Sequence, residues 1–168
     1  EYTFENVREN HTLEIKTAKL LTGDHIAYIN GYPDGGVHPE ANITRAEVSA
    51  IFYRLLSDEA RSQYKSSSSR FADANANWAS AEIATLTSAG ILEGYEDGTF
   101  RPDASITRAE FAAIASRFDK LEAGSKTFSD VPESHWAYEA ISSAAEKGWI
   151  NGYPDGTFRP ENAITRAE

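Results

Sequence analysis

One stretch of this chain is written three times, and that repetition limits what the chain can fold into. Gly31-Tyr32-Pro33-Asp34-Gly35 returns as Gly94-Tyr95-Glu96-Asp97-Gly98 and again as Gly152-Tyr153-Pro154-Asp155-Gly156. Each copy then reaches a proline (Pro39, Pro102, Pro160) and the pentapeptide Ile-Thr-Arg-Ala-Glu, which begins at Ile43, Ile106 and Ile164. The periods are therefore 63 and 58 residues, and a recurring segment of this kind predicts a compact array of small repeats. The longer first period takes in the Ser66–Ser69 run, which reads as a flexible linker, and a second linker is expected around Ala123–Lys126.

Upstream of the loop, copies two and three match further. Phe71-Ala72-Asp73 and Trp78-Ala79 align with Phe128-Ser129-Asp130 and Trp136-Ala137. A helical pattern follows in each: Ala79, Ile83 and Leu86 up to Gly90, and Ala137, Ala140, Ile141, Ala144 and Ala145 up to Gly148. Asn77 and Ser134 are the expected N-caps.

The pentapeptide reads as a helix start. Its threonine caps and the glutamate three residues on completes a capping box, in the pairs Thr44/Glu47, Thr107/Glu110 and Thr165/Glu168. The preceding isoleucine can staple to Val48 in copy one and Phe111 in copy two. Behind the boxes run apolar stripes, Val48, Ile51, Phe52 and Leu55 in one helix and Phe111, Ile114 and Phe118 in the other. Arginine is an awkward first helical residue, because a helix N-terminus carries partial positive charge and a cation there costs about 0.3–1 kcal/mol. Two readings stay open for Arg45, Arg108 and Arg166: each pairs with a neighbouring carboxylate, or each joins free helical N–H groups in an anion seat.

The Gly-Tyr-x-Asp-Gly segment is first a turn, with Thr99-Phe100 and Thr157-Phe158 running extended after it. Its tyrosine and backbone could also line a sugar site. A calcium loop does not fit, since each copy offers one aspartate and lacks the alternating acidic ligands and terminal glutamate. Trp78 and Trp136 stand at helix starts beside these loops, open to a core reading or to stacking on sugar; Trp149, after a helix-ending glycine, is expected in the core.

Composition narrows function. No apolar run approaches the roughly 20 residues of a membrane-crossing helix, so no membrane insertion is expected. A formal charge of −10 argues against a nucleic-acid footprint and leaves any anionic ligand to a few local cations. Cysteine is absent, which removes thiol chemistry and thiolate metal sites. The four histidines (His11, His25, His38, His135) show no ligand spacing and no carboxylate pair stands out for acid–base work, so no metal, cofactor or catalysis is expected. The opening Glu1-Tyr2-Thr3-Phe4-Glu5 does not read as a signal peptide and fits a mature form or an excised piece.

The run Phe128-Ser129-Asp130-Val131, His135-Trp136-Ala137, Gly152 to Phe158 and Ile164 to Glu168 resembles an S-layer-homology repeat at nearly every position, and copy two resembles it almost as well. The resemblance implies a mainly α, pseudo-threefold module with a central helix bundle, short extended loops and grooves between lobes. It implies non-covalent anchoring of a bacterial surface or S-layer protein, extracellularly at the cell wall, through an acidic secondary cell-wall polysaccharide that often carries a pyruvate ketal. The family's key arginine maps onto Arg45, Arg108 and Arg166; groove-lining positions map onto Trp78, Trp136 and the pairs Gly31-Tyr32, Gly94-Tyr95 and Gly152-Tyr153.

Expected boundaries are 22–65, 70–122 and 127–168 for the repeats. Copy one departs from the pattern: it lacks the Phe-x-Asp-Val and Trp-Ala elements, and its loop reads Gly35-Gly36-Val37-His38. Copy three stops at Glu168, before its second helix, which leaves room for self-association through an unfilled third lobe. Residues 1–21 read as the tail of an upstream β-rich surface domain, with two short strands around a turn in Tyr2–Thr17. The competing readings are a protein–protein module of a surface assembly and a non-catalytic part of a polysaccharide-degrading enzyme.

Overall fold

A computed structural model describes residues 19–23, 27–119, 121 and 124–168. The expected hairpin over Tyr2–Thr17 lies outside the described residues. The described chain is mainly helical: α1 (Arg45–Leu55), α2 (Asp58–Gln63), α3 (Ser80–Ser88), α4 (Arg108–Ser116) and α5 (Tyr138–Glu146), with a 3₁₀ turn at Ala72–Ala74. Extended segments meet only as isolated bridges among the described residues.

Local chemistry sets these boundaries. Thr44 and Thr107 each cap a helix through the side chain, and Glu47 and Glu110 reach back to complete both capping boxes. Ile43 with Val48, and Ile106 beside Phe111, sit in one apolar cluster, as the staple requires. Helices α3 and α5 run into Gly90 and Gly148, whose φ of +72° and +71° ends each helix in the left-handed region that glycine enters freely. Their starts differ from expectation. Asn77 accepts from the Ala79 N–H at 3.0 Å, but in copy three His135 Nδ1, not Ser134, accepts from the Ala137 N–H at 3.1 Å. Neither Asn77 nor Ser134 is the N-cap: that position is Ala79 in α3 and Ala137 in α5, neither with a side-chain cap, and Asn77 and His135 bind the N-cap's own N–H from two residues before it.

The Ser66–Ser69 run is tied down. Ser66 N–H donates to Thr85 Oγ1, and Ser69 exchanges bonds with Asn75 through its N–H and its carbonyl. Likewise Ser125 bonds Glu146, and Lys126 Nζ reaches the Ala145 carbonyl at the end of α5. Both stretches composed like linkers are thus bonded to neighbouring structure, the first to α3 and to the end of the 3₁₀ turn, the second to α5. Helix α2, capped by Ser57, buries only Ala60, so it has no apolar stripe to announce it.

The three pentapeptides come together. Ile106 N–H donates to the Ile43 carbonyl, Ile164 N–H to the Ile106 carbonyl, and Ile43 N–H to the Ile164 carbonyl, each at 3.1 Å. The donors thus close a ring. Around it α3 packs on α1, and α5 on α4. Phe71 and Phe100 pack with tilted rings, centroids 5.5 Å apart, and Phe128 and Phe158 do the same at 5.2 Å. Phe100 and Phe158 are fully buried, and burial of such a side chain contributes about 1.5–3 kcal/mol.

Candidate functional site

Every arginine of the pentapeptide reaches into the next copy. Arg45 Nε donates to the Phe100 carbonyl at 2.8 Å, and its terminal nitrogen lies 3.1 Å from Glu110 Oε1. Arg108 repeats this with the Phe158 carbonyl at 2.8 Å and Glu168 Oε1 at 3.3 Å, adding the Asn151 carbonyl at 2.7 Å. Arg166 closes the cycle onto copy one, through the Val37 carbonyl at 2.8 Å, Glu47 Oε1 at 2.9 Å and the Asn30 carbonyl at 2.9 Å. The three guanidinium carbons lie 4.7, 4.9 and 4.6 Å from the ring centroids of Tyr95, Tyr153 and Tyr32. Each tyrosine hydroxyl donates in turn to the same glutamate.

The arginines therefore pair with carboxylates, and the helical N–H groups expected to help seat an anion are occupied. Arg45 and Ala46 N–H donate to the Ala104 and Pro102 carbonyls, Arg108 and Ala109 to Asn162 and Pro160, Arg166 and Ala167 to Ala41 and Pro39. The N–H groups of Glu47 and Glu110 go to their capping threonines. Physically, a buried helix N-terminus must satisfy its donors, and the neighbouring repeat supplies acceptors before any ligand does.

Charges follow these contacts. Burial opposes ionisation of Glu47, but the Tyr32 hydroxyl, the Thr44 N–H and hydroxyl and the Arg166 charge together hold its carboxyl below the usual value. The Thr165 N–H, helped by Tyr153 and Arg108, lowers Glu168 against its own burial. Burial and the bond to Glu110 push the Tyr95 phenol up. In the turns, Asp97 and Asp155 are held down at about 2 by the Thr99 and Thr157 hydroxyls and N–H groups, then by Arg101 and Arg159.

Two grooves result. The first, about 660 Å³, is lined by Gly31, Tyr32, Arg166 and Trp78; the second, about 520 Å³, by Gly94, Tyr95, Arg45 and Trp136. Arginine, loop and tryptophan come from three different copies in each case. Both tryptophans are 62% exposed and are not core residues. Trp149, expected in the core, is 46% exposed, with Lys147 Nζ 4.9 Å from its ring. Arg108 and Gly152-Tyr153 also meet, but residues 1–65 contain no tryptophan to complete a third set.

Other residues that hold the site were not singled out beforehand. Asp73 accepts from the Phe100 and Arg101 N–H groups, and Asp130 from those of Phe158 and Arg159. They pin loops in which Arg101 and Arg159 take φ of +57° and +58°, a region non-glycine residues seldom enter. Arg54 and Arg117, each nine residues after the pentapeptide arginine of its helix, also line the two grooves. Comparing copies one and two beyond the pentapeptide would have revealed them.

Comparison with known proteins identifies the repeated segments. The model of the S-layer homology domain matches residues 27–49, 70–112 and 127–168. A cellulosome-anchoring protein of Acetivibrio thermocellus is 46% identical over 154 residues, covering 88% of this chain and 34% of that protein. Cell surface glycoprotein 1 of the same organism is 43% identical over 161 residues, 88% of this chain but 7% of its own length. A surface layer protein of Brevibacillus choshinensis is 36% identical over 92 residues, 51% of this chain and 8% of that protein. The chain thus spans about a third or less of these curated relatives. With three matched segments that coincide with the three interlocked copies, the chain belongs to the S-layer homology domain family.

Proposed function

We propose that the chain is a non-catalytic anchor, holding a surface protein at the bacterial cell wall by non-covalent binding of an acidic secondary cell-wall polysaccharide, with a pyruvate ketal as its acidic substituent. In this reading repeats at 22–65, 70–122 and 127–168 form a pseudo-threefold module, and its helices gather around a central bundle. The observation that carries it is the pair of like-built grooves, each with a 62%-exposed tryptophan beside a Gly-Tyr loop. A large aromatic face left open to water beside fixed polar groups suits the apolar face of a sugar ring. The ring of Ile43, Ile106 and Ile164 supports the pseudo-threefold arrangement.

Within each groove the roles divide. Trp78 and Trp136 are the stacking platforms. Tyr32, Tyr95 and the backbone of Gly31 and Gly94 form the wall, while Arg45 and Arg166 form the charged floor. Each of these arginines has five N–H donors and commits three of them to the protein, Arg45 to the Phe100 and Glu93 carbonyls and Glu110, Arg166 to the Val37 and Asn30 carbonyls and Glu47. Arg108 with Gly152-Tyr153 makes the corresponding wall and floor of the third position. The test is equilibrium binding of purified cell-wall polysaccharide, untreated and after removal of its acidic groups. Saturable binding without hydrolysis, weakened about tenfold or more by that treatment, is expected. Hydrolysis, or no binding to either polysaccharide, would reject the anchor.

A further inference from the structure

The two grooves share a plan but not a charge, and the difference that bears on an arginine lies in the residue before each Gly-Tyr pair. In copy two that residue is Glu93; in copies one and three it is Asn30 and Asn151. Glu93 Oε2 stands 2.7 Å from a terminal nitrogen of Arg117, whose other terminal nitrogen donates to the Ile91 carbonyl at 3.0 Å. Arg54 occupies the matching place in the first groove. It is half-buried, gives one hydrogen bond to the Tyr28 carbonyl at 3.0 Å, and has no carboxylate partner among the described residues. The second groove also carries Glu96 where the first has Pro33. Asp103 in the first groove and Glu161 in the second follow the corresponding prolines, so that acid is common to both.

Resting on the polysaccharide reading above, the geometry points to a division of labour: the first groove, with Arg54 as its free cation, takes the carboxylate-bearing sugar, whereas Glu93 neutralises Arg117 and turns the second groove toward uncharged sugar. Arg54 can give a carboxylate its remaining N–H donors without first breaking an ion pair. Arg117 can do so only by displacing Glu93, and the incoming anion then faces both Glu93 and Glu96 across the same cleft. A charge-assisted hydrogen bond corresponds to about tenfold or more in affinity, so position 30 versus 93 suffices to select one groove. Electrostatic selection by a like charge placed against the wrong ligand is the cheaper route to specificity when the sugar platform itself is duplicated.

The tryptophans report the grooves separately, Trp78 the first and Trp136 the second. The experiment titrates the whole chain with the 4,6-pyruvate ketal of an N-acetylhexosamine methyl glycoside, and with its methyl ester, while following the three indole N–H signals by NMR. The acid is expected to move Trp78 at concentrations at least about tenfold below those that move Trp136, and the ester is expected to lose that preference. Glu93→Asn should tighten acid binding at Trp136 about tenfold, Asn30→Glu should weaken it at Trp78 by a similar factor, and Arg54→Gln should act like Asn30→Glu. All three side chains are at the surface or half-buried, and Asn30 holds Arg166 through its backbone carbonyl, so the variants keep the fold. Equal affinities at Trp78 and Trp136 in the wild-type chain, or no response of Trp136 affinity to Glu93→Asn, would overturn the division while leaving the polysaccharide reading intact. Silence of both indoles toward acid and ester alike would reject that reading, and this one with it.

Discussion

Replacing Arg45 by alanine tests whether the pentapeptide arginines hold the repeats together. The side chain is 4% exposed and joins copy one to copy two by three contacts: the Phe100 carbonyl at 2.8 Å, the Glu93 carbonyl at 3.5 Å and Glu110 at 3.1 Å. Its removal takes the guanidinium from the Glu110 carboxylate, which is only 15% exposed and keeps the Tyr95 hydroxyl and the Thr107 N–H, and leaves the Phe100 carbonyl without that donor. Breaking such a buried pair from one side costs about 3–5 kcal/mol, against 0–1 kcal/mol for a surface pair. For a chain of this length each kcal/mol lowers Tm by about 2–4 °C, so a fall of roughly 6–20 °C is expected in calorimetry, with a matching shift in urea unfolding followed by tryptophan fluorescence. Pairing Arg45→Met with Glu110→Gln should recover part of the loss, because the charge left without its guanidinium goes too; the non-additivity should be about 0.5–3 kcal/mol. A loss below about 1 kcal/mol for Arg45→Ala, with additive behaviour in the double variant, would show that the clasp contributes nothing beyond a surface contact. The outcome also governs binding work: alanine at Arg45 or Arg108 perturbs fold and groove together, so Arg54→Gln is the cleaner probe of ligand charge.

Trp78→Ala should weaken polysaccharide binding roughly two- to tenfold while changing unfolding free energy by less than about 0.5 kcal/mol, since the ring is 62% exposed; calorimetry for both quantities decides it. Gly94→Ala should destabilise by about 1–3 kcal/mol in urea titration, because its Cβ would fall 2.3 Å from Phe71 and 2.4 Å from the Thr99 carbonyl. Gly31→Ala, whose nearest contact is the Gly36 carbonyl at 3.1 Å, should cost less. Asp97 and Asp155 have folded values of about 2, and Glu47, Asp130 and Glu168 are also lowered. Depressed carboxylates stabilise the fold above their unfolded values, about 4, and that contribution disappears as pH falls toward 2. Tm measured from pH 7 to 2 should therefore hold from this source down to about pH 4.5 and fall below it.

What could be read in advance was local or repeated. Thr44 and Glu47 lie three residues apart, so their box needs nothing but the helix they start, and Gly90 and Gly148 end helices by their own conformational freedom. Contacts between copies carry no such signature. Nothing near Arg45 in the sequence names Phe100 or Glu110, 55 and 65 residues away, and the two readings of the arginines could be separated only by the fold. Trp149 looked like core because it follows a helix stop, yet its ring turns outward toward Lys147. Ser134 had the better capping chemistry, but α5 begins after Ala137, which has no side-chain cap, and only His135 reaches the Ala137 N–H. Helix α2 escaped notice because a six-residue helix burying one alanine has no periodicity to detect.

The ring of Ile43, Ile106 and Ile164 has a consequence for how such a chain can change over generations. An open solenoid grows or shrinks at its ends, one unit at a time, because its terminal faces are free. Here every copy both gives and receives one backbone bond in a closed circuit, and every pentapeptide arginine is received by the following copy, the third by the first. Deleting one copy would orphan a donor on one side and an acceptor on the other, and inserting a fourth would have no seat. A change in copy number would break this circuit, whereas the stretches between pentapeptides differ in length, at spacings of 63 and 58 residues. Within such a circuit the copies differ in what each groove displays, as Asn30 and Glu93 do.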